Sequence, residues 1–370
     1  MSTLSKNIKN TVYIGLTATL LTACGAGFKG NKYNTANGEK IILGSENPVC
    51  QTGNAVHEGL LIDEKSGKGI DNVEVNIGGC ITYTKQDGSY KLSNLKSISR
   101  VPIIFEKRGY YKNSAIISIE KKTSNYLKFP LKKNASDWTF KSEEGTSRNN
   151  IIISSDTKYK TTKGENYTND ITALYTQYSI STQNRDKLPG DYHGLDSNGV
   201  IVNFVSYALM VLDLKDEDGK SLNVSEPIRL IVKNISTTNE DMIPLWNYNY
   251  NKGIWVEDGF AQKDENGDYV CEISHPGTWS LSKPIESEMG LYVGRIVDAD
   301  DNPMRNVRVQ AEGTNWMNKD LTTDENGEFK LYVVPNKEFR LSAYDYKDKY
   351  GARYTKAMDA IAAGDVVEEN

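Results

Sequence analysis

The sequence predicts an all-β chain, with tandem antiparallel β-sandwich domains set in a row. Three observations predict it. Apolar residues alternate with polar ones at period two, as at Val73, Val75 and Ile77, which gives each strand one buried face. The alternating stretches are separated by Asp-Gly and Asn-Gly turns, such as Asp87-Gly88 and Asn326-Gly327, where Gly supplies the positive φ that hairpins require. One pattern of strands and turns occurs twice, once near each end. Tyrosine is abundant (22 residues), which suits half-exposed strands.

The first element is a targeting segment, residues 1–23, which takes no part in the fold. Lys6 and Lys9 form a short positive region. Thr11 to Ala23 carries no charge and is too short to span a bilayer, which needs roughly 20 apolar residues. Leu21-Thr22-Ala23-Cys24 then resembles the lipobox of bacterial lipoproteins. The resemblance implies cleavage before Cys24, diacylation of its thiol and acylation of the new amine. An ordinary signal peptide, or a buried N-terminal helix, with a chance cysteine is the alternative. Two or more acyl chains hold a protein stably on a membrane, each buried CH₂ contributing about 0.8 kcal/mol. Gly25 stands where enteric lipoproteins kept at the inner membrane carry aspartate, so the expected location is the outer membrane. Residues 24–47, rich in Gly, Asn and Lys, read as a flexible tether.

The repeat covers residues 56–95 and 291–334, within expected domains at 48–134 and 288–370. Gly59 aligns with Gly294, Asp63 with Asp298, and Asn72-Val73 with Asn306-Val307. Gly88-Ser89-Tyr90 aligns with Gly327-Glu328-Phe329. In each copy a strand ends in Asp, a turn carries Gly or Pro, an alternating strand follows, and a hairpin joins two more strands. The opening G-x-[IL]-[IV]-D, the N-V-x-V strand and the T-x-x-[DN]-G-x-[YF] hairpin resemble carboxypeptidase regulatory-like domains. That resemblance implies a transthyretin-like, seven-stranded sandwich serving as a non-catalytic accessory module. The match is looser at 340–351 in the second copy.

Between the copies, residues 135–287 form the expected middle domain. Met210, Leu212 and Leu214 fall on one face of a strand, and Leu209 and Val211 on the other, so this strand is expected to be buried on both sides. The I-P-L-W-x-[FY] strand, the W-x-E-x-G strand and the closing S-H-x-x-x-W resemble a β-sandwich module of bacterial surface lipoproteins and cartilage intermediate layer proteins. The resemblance carries no catalytic residues.

Removing residues 1–23 takes two lysines and moves the formal net charge from -5 to -7, which argues against nucleic acid as a partner. About 345 residues remain, too many for one core. After Cys24, the cysteines are Cys50, Cys80 and Cys271. Cys50 and Cys80 lie in or beside the same small domain, and a bridge between them stays open because sequence does not fix the geometry. Cys271 alternates with Tyr269 and Ile273 and reads as a buried thiol. The three histidines, His57, His193 and His275, lack the local context of a nucleophile, so no catalytic residue and no cofactor is assigned. No metal is assigned either. The acidic turns at Asp216, Asp264, Asp298 and Asp324 lack the full calcium-loop series and read as hairpins. Trp246, Trp255 and Trp279, with the aromatic clusters 246–250 and 346–350, would form a sugar-stacking platform if exposed and core if buried. Residues 358–370 read as one helical turn or a frayed end. The expected function is a non-catalytic, membrane-anchored lipoprotein that holds a protein or glycan partner at the cell envelope. A carbohydrate-binding surface lipoprotein is the alternative and a hydrolase the third reading.

Overall fold

The computed structural model describes residues 31–34, 40–43, 50, 53–119, 124–134, 137–235, 238–305, 307–344 and 353–369. Cys24 and the lipobox residues Leu21, Thr22 and Ala23 lie outside them. Among the described residues the protein is all-β, and its one helical element is the 3-10 turn Arg185–Lys187. Among the described residues no helix is long and apolar enough to cross a membrane. Within the stretch read as a tether, Asn31–Asn34 and Lys40–Leu43 pair as an antiparallel ribbon with Tyr33 opposite Ile41.

The N-terminal unit has two sheets. One is ordered Ser89–Leu95, Ala55–Asp63, Ser124–Leu131, and the other Cys80–Tyr83, Glu74–Ile77, Ile98–Glu106, Asn113–Ile119. Ala55–Asp63 alternates strictly, with Ala55, His57, Gly59, Leu61 and Asp63 turned inward. Val75, Ile77, Ile103 and Phe105 of the opposite sheet close the same core. Fully burying side chains of this size is worth about 1.5–3 kcal/mol each. Cys50 and Cys80 are joined by a disulfide, with Cα atoms 5.3 Å apart.

The C-terminal unit repeats this plan strand for strand. Its sheets run Glu328–Val333, Gly290–Arg295, Val366–Glu368 and Met317–Thr322, Arg308–Glu312, Phe339–Tyr344, Arg353–Met358. In both units the entry strand pairs parallel with the last strand: Ala55–Asp63 with Ser124–Leu131, and Gly290–Arg295 with Val366–Glu368. Residues 366–368 therefore complete a sheet, and the reading of 358–370 as a helical turn or frayed end is corrected. The strand has only three residues and its partner lies some seventy positions upstream, so no local pattern announces it.

The shared motif has a physical basis. A Cβ on Gly59 would stand 2.2 Å from the Leu127 carbonyl oxygen and 2.6 Å from the Tyr90 ring. One on Gly294 would stand 2.7 Å from the Phe329 ring. The glycine opens a seat for the aromatic residue of the hairpin. The hairpin glycines, Gly88 (φ +83°) and Gly327 (φ +77°), sit in the left-handed region. The hairpin threonines do the same work in both copies. Thr84 Oγ1 accepts from Val73 N at 2.9 Å and donates to Ile70 O at 2.6 Å. Thr323 Oγ1 accepts from Val307 N at 3.0 Å and donates to Met304 O at 2.6 Å.

The middle unit is one eleven-stranded sheet with a small three-stranded sheet beside it. The large sheet folds over itself around a core that takes Ile171 and Met210 from one end of the strand order and Ile228 and Ile151 from the other. The two layers of this sandwich are thus continuous through hydrogen bonds. Bends occur where the register slips, between Ser206 and Ala208 and between Pro244 and Trp246. The long strand Ile201–Lys215 is buried on both faces over residues 206–210. Met210, Leu212 and Leu214 enter the middle core. Leu209 faces the other way, into a second cluster shared with Val309, Ala311, Trp316 and Met317 of the C-terminal unit.

Candidate functional site

Three surfaces converge on a cleft of about 400 Å³. Its floor is the outward face of the middle sheet, with Leu209, Val211, Tyr178 and Thr278. One wall belongs to the N-terminal unit, through Tyr111–Asn113 and the strand Ser124–Leu131. The other wall is strand Arg308–Glu312, where period two places Arg308, Gln310 and Glu312 on one face, joined by Arg340 and Tyr344.

The walls are strongly basic. Lys112, Lys128, Lys132, Arg185, Lys187, Arg308 and Arg340 line the cleft, against two carboxylates, Glu64 and Glu312. Glu312 is only 4% exposed and is gripped by two guanidiniums. Arg185, itself 5% exposed, reaches it at 2.8 Å and donates a second bond to Gly313 O at 2.8 Å. Arg340 Nε donates to the same carboxylate oxygen at 2.7 Å. Such a pair, 127 residues apart in sequence, fixes the 3-10 turn of the middle unit against the C-terminal unit. Across the cleft Lys187 pairs with Glu64, and burial pulls the lysine below its ordinary pKa. Lys132 holds its ammonium 4.4 Å from the centre of the Tyr178 ring, a cation–π contact. Lys112 pairs with Glu106 at 2.9 Å. Gln310 donates to the Tyr344 hydroxyl at 2.7 Å.

A polar seam behind the cleft joins the N-terminal and middle units. Arg100 Nη2 contacts Asp191 Oδ2 at 3.1 Å and donates to Gly253 O at 2.7 Å. His193 Nδ1 lies 3.3 Å from the same carboxylate, close enough for attraction but not aligned as a hydrogen bond. Burial alone would raise the Asp191 pKa. The Arg100 guanidinium, with His193 beside it, outweighs this and holds the carboxyl well below the usual range. Ser114 and Tyr248 share a hydroxyl contact at 3.1 Å, and Tyr250 donates to Lys112 O at 2.9 Å.

The three histidines are dispersed. His57 is 1% exposed, stacked on Tyr90, and pushed down to about 3 by burial. His193 belongs to the seam. The ring of His275 contacts Pro276 O at 2.8 Å while its own carbonyl accepts from the Trp279 indole at 3.2 Å, tying the strand end to its turn. Burial pushes the Cys271 thiol up to about 12, so it is held protonated in the core. The acidic turns work as hairpins. Asp264 Oδ1 accepts from Asn266 N and Asp268 N at 2.9 Å, and Asp324 Oδ1 accepts from Asn326 N and Glu328 N at 2.9 Å. Groups of three metal-ligating side chains do not occur among the described residues.

All five tryptophans are buried: Trp246, Trp255 and Trp279 completely, Trp138 and Trp316 nearly so. Of the two readings open from sequence, the tryptophans therefore take the core one and not the sugar platform, since strand tryptophans in a two-layered sheet point into the core. The cluster 346–350 lies outside the described residues. The basic cleft itself escaped sequence reasoning. Its residues come from three distant stretches, and the only local signal was the alternation of Arg308, Gln310 and Glu312.

No family model matches this sequence, and no curated protein matches it. Among solved structures, the chain is similar to the Bacillus anthracis TIE protein at 10% identity and TM-score 0.21, over 85% of this chain and 50% of that one. It thus spans half the length of that protein. It is also similar to BcpA, the major pilin subunit of Bacillus cereus, at 10% identity and TM-score 0.19, over 85% and 97% of the chains. The third is the major pilin SpaD of Corynebacterium diphtheriae, at 8% identity and TM-score 0.20, over 85% and 96%.

Proposed function

We propose that this protein is a non-catalytic lipoprotein of the bacterial cell envelope, lipidated at Cys24, whose β-sandwich units hold a partner in the cleft between them. The observation that carries the reading is the cleft: three units are locked around it by buried ion pairs and a shared apolar cluster, an arrangement suited to holding rather than to chemistry. The dispersal of the histidines favours the same reading over a hydrolase. The two terminal units, on this reading, are carboxypeptidase regulatory-like modules. Their identical strand order supports that, as does the use of the motif glycine and threonine in both. The domains run 48–134, 135–287 and 288–370, behind a leader at 1–23 and a linker at 24–47. The outer membrane is the favoured site because Gly25 follows the acylated cysteine. The Cys50–Cys80 bridge fits a chain folded in an oxidising compartment.

The anchor is tested by fractionating cells that express the full chain or its Cys24→Ala variant, with protease shaving of intact cells. The unaltered chain is expected in the membrane fraction and the variant in the soluble fraction. Membrane retention of the variant overturns the anchor.

A further inference from the structure

We propose that the cleft binds an acidic saccharide, a short run of sugar rings bearing carboxylate, sulfate or phosphate groups. This rests on the reading of the protein as a partner-holding module. The first support is charge. Seven bases and two carboxylates line the cleft in a chain whose formal net charge is -5, so positive charge is concentrated where the rest of the surface is acidic. Both carboxylates are already matched, Glu312 by Arg185 and Arg340 and Glu64 by Lys187, and of the other bases Lys112 is matched by Glu106 outside the cleft. Low-dielectric walls of one sign focus the field and draw in an anion.

The second support is the mixture of side chains. Tyr111, Tyr126 and Tyr344 share the walls with the bases, and Tyr178 lies in the floor. Sugar rings present C–H faces that pack on aromatic rings and hydroxyls that pair with amides and phenols, while their anionic groups take the lysines and arginines. The Lys132–Tyr178 contact holds an ammonium beside a ring, the two groups an acidic sugar uses together.

The third support is geometry. The volume lies in the small-ligand range of roughly 300–1,000 Å³. The floor and one wall are sheet faces, which offer side chains and not backbone ladders. Strand addition, the usual mode for an extended peptide, needs an open sheet edge. Of the edge strands on the cleft, Ser124–Leu131 lines it at length and carries Pro130, which has no N–H to give, while Asn113–Ile119 and Met317–Thr322 reach it only through their first residues.

The test is equilibrium binding by the full chain, purified in detergent. The probes are oligogalacturonate, heparin hexasaccharide, neutral dextran fragments, poly-glutamate and inorganic sulfate. One or both acidic saccharides are expected to bind, dextran not to, and affinity to fall as salt rises. The double variant Lys128→Gln/Lys132→Gln and the variant Arg308→Gln are each expected to weaken binding tenfold or more at a temperature where the melting curve of each variant shows it fully folded. Arg185 and Arg340 are unsuitable targets because they hold Glu312. Four outcomes overturn the proposal: neither acidic saccharide binds, the variants bind as the parent does, poly-glutamate binds as tightly, or sulfate alone competes with equal potency. None of these affects membrane retention through Cys24, so loss of the ligand class and loss of the anchored reading are separately visible.

Discussion

At the scale of single residues, His57 is the most consequential titratable group in the fold. It occupies an inward position of the strand Ala55–Asp63, against Tyr90. In the unfolded chain its imidazole takes a proton near pH 6.5, but in the fold only near 3. Above pH 6.5 both states are neutral and stability is unaffected by this group. As pH falls below 6.5 the unfolded chain binds a proton that the folded one refuses, so stability drops with acidification. Between pH 6.5 and 4.5 the loss should reach about 2–3 kcal/mol. Urea titrations at pH 4.5, 5.5, 6.5 and 7.5 measure it, and a His57→Gln variant should show a flatter slope whatever its absolute stability. Equal slopes in the two proteins would refute this role. Sequence alone exposed His57 as one of three histidines without a nucleophile. It could not show the depth of burial, which depends on a sheet that closes over residue 57 from positions 75–119.

At the scale of elements, the hairpin motif carries a prediction of its own. Thr84 and Thr323 each satisfy a buried backbone amide and a carbonyl near the start of their unit. Replacing either by valine keeps the shape and leaves both groups without a partner, at a cost of about 1–3 kcal/mol per site. The hydroxyl of serine should restore most of it. Hydrogen exchange at Val73 N and Val307 N reports the two sites separately, and changes under about 0.5 kcal/mol would contradict the assignment. These elements were legible because their determinants are local: period-two burial, a glycine under an aromatic ring, a threonine three residues before the turn partner. The final strand was not legible. Val366–Glu368 owes its existence to Gly290–Arg295 and to the burial of Ile361, which no window of a dozen residues contains. The order of the middle sheet is equally non-local, since its neighbours in space include Ile151–Ile153 beside Ile228–Val232.

For the whole molecule, the two ends attach differently. The C-terminal unit shares a buried apolar cluster with the middle unit and is clamped to it by Arg185 and Glu312. The N-terminal unit keeps its own core and meets the middle unit largely through polar groups. Calorimetry should therefore show two transitions: a larger one for the middle and C-terminal units together, and a smaller one for the N-terminal unit. Reductant should lower the smaller one alone, because opening a disulfide such as Cys50–Cys80 costs roughly 2–5 kcal/mol in a small unit. A single transition that shifts as a whole would show the seam at Asp191 to be as strong as the apolar joint. Sequence resolved the tandem plan and the repeat but not this difference in coupling, because the cluster around Leu209 mixes residues more than a hundred positions apart.

The parallel pairing of the entry strand Ala55–Asp63 with the exit strand Ser124–Leu131 bears on mechanical load. The two strands run side by side over eight residue pairs, from Val56 opposite Ser124 to Asp63 opposite Leu131. If the chain is anchored at Cys24 as proposed, a pull arriving from the membrane side tugs residue 55 one way, while a partner held by the rest of the molecule tugs residue 131 the other way. With parallel strands those forces act along the ladder, so its hydrogen bonds are sheared together and not unzipped singly. The N-terminal unit is thereby wired to resist extension, and under the proposed anchoring tension from a held partner would reach Cys24 without first peeling that unit open.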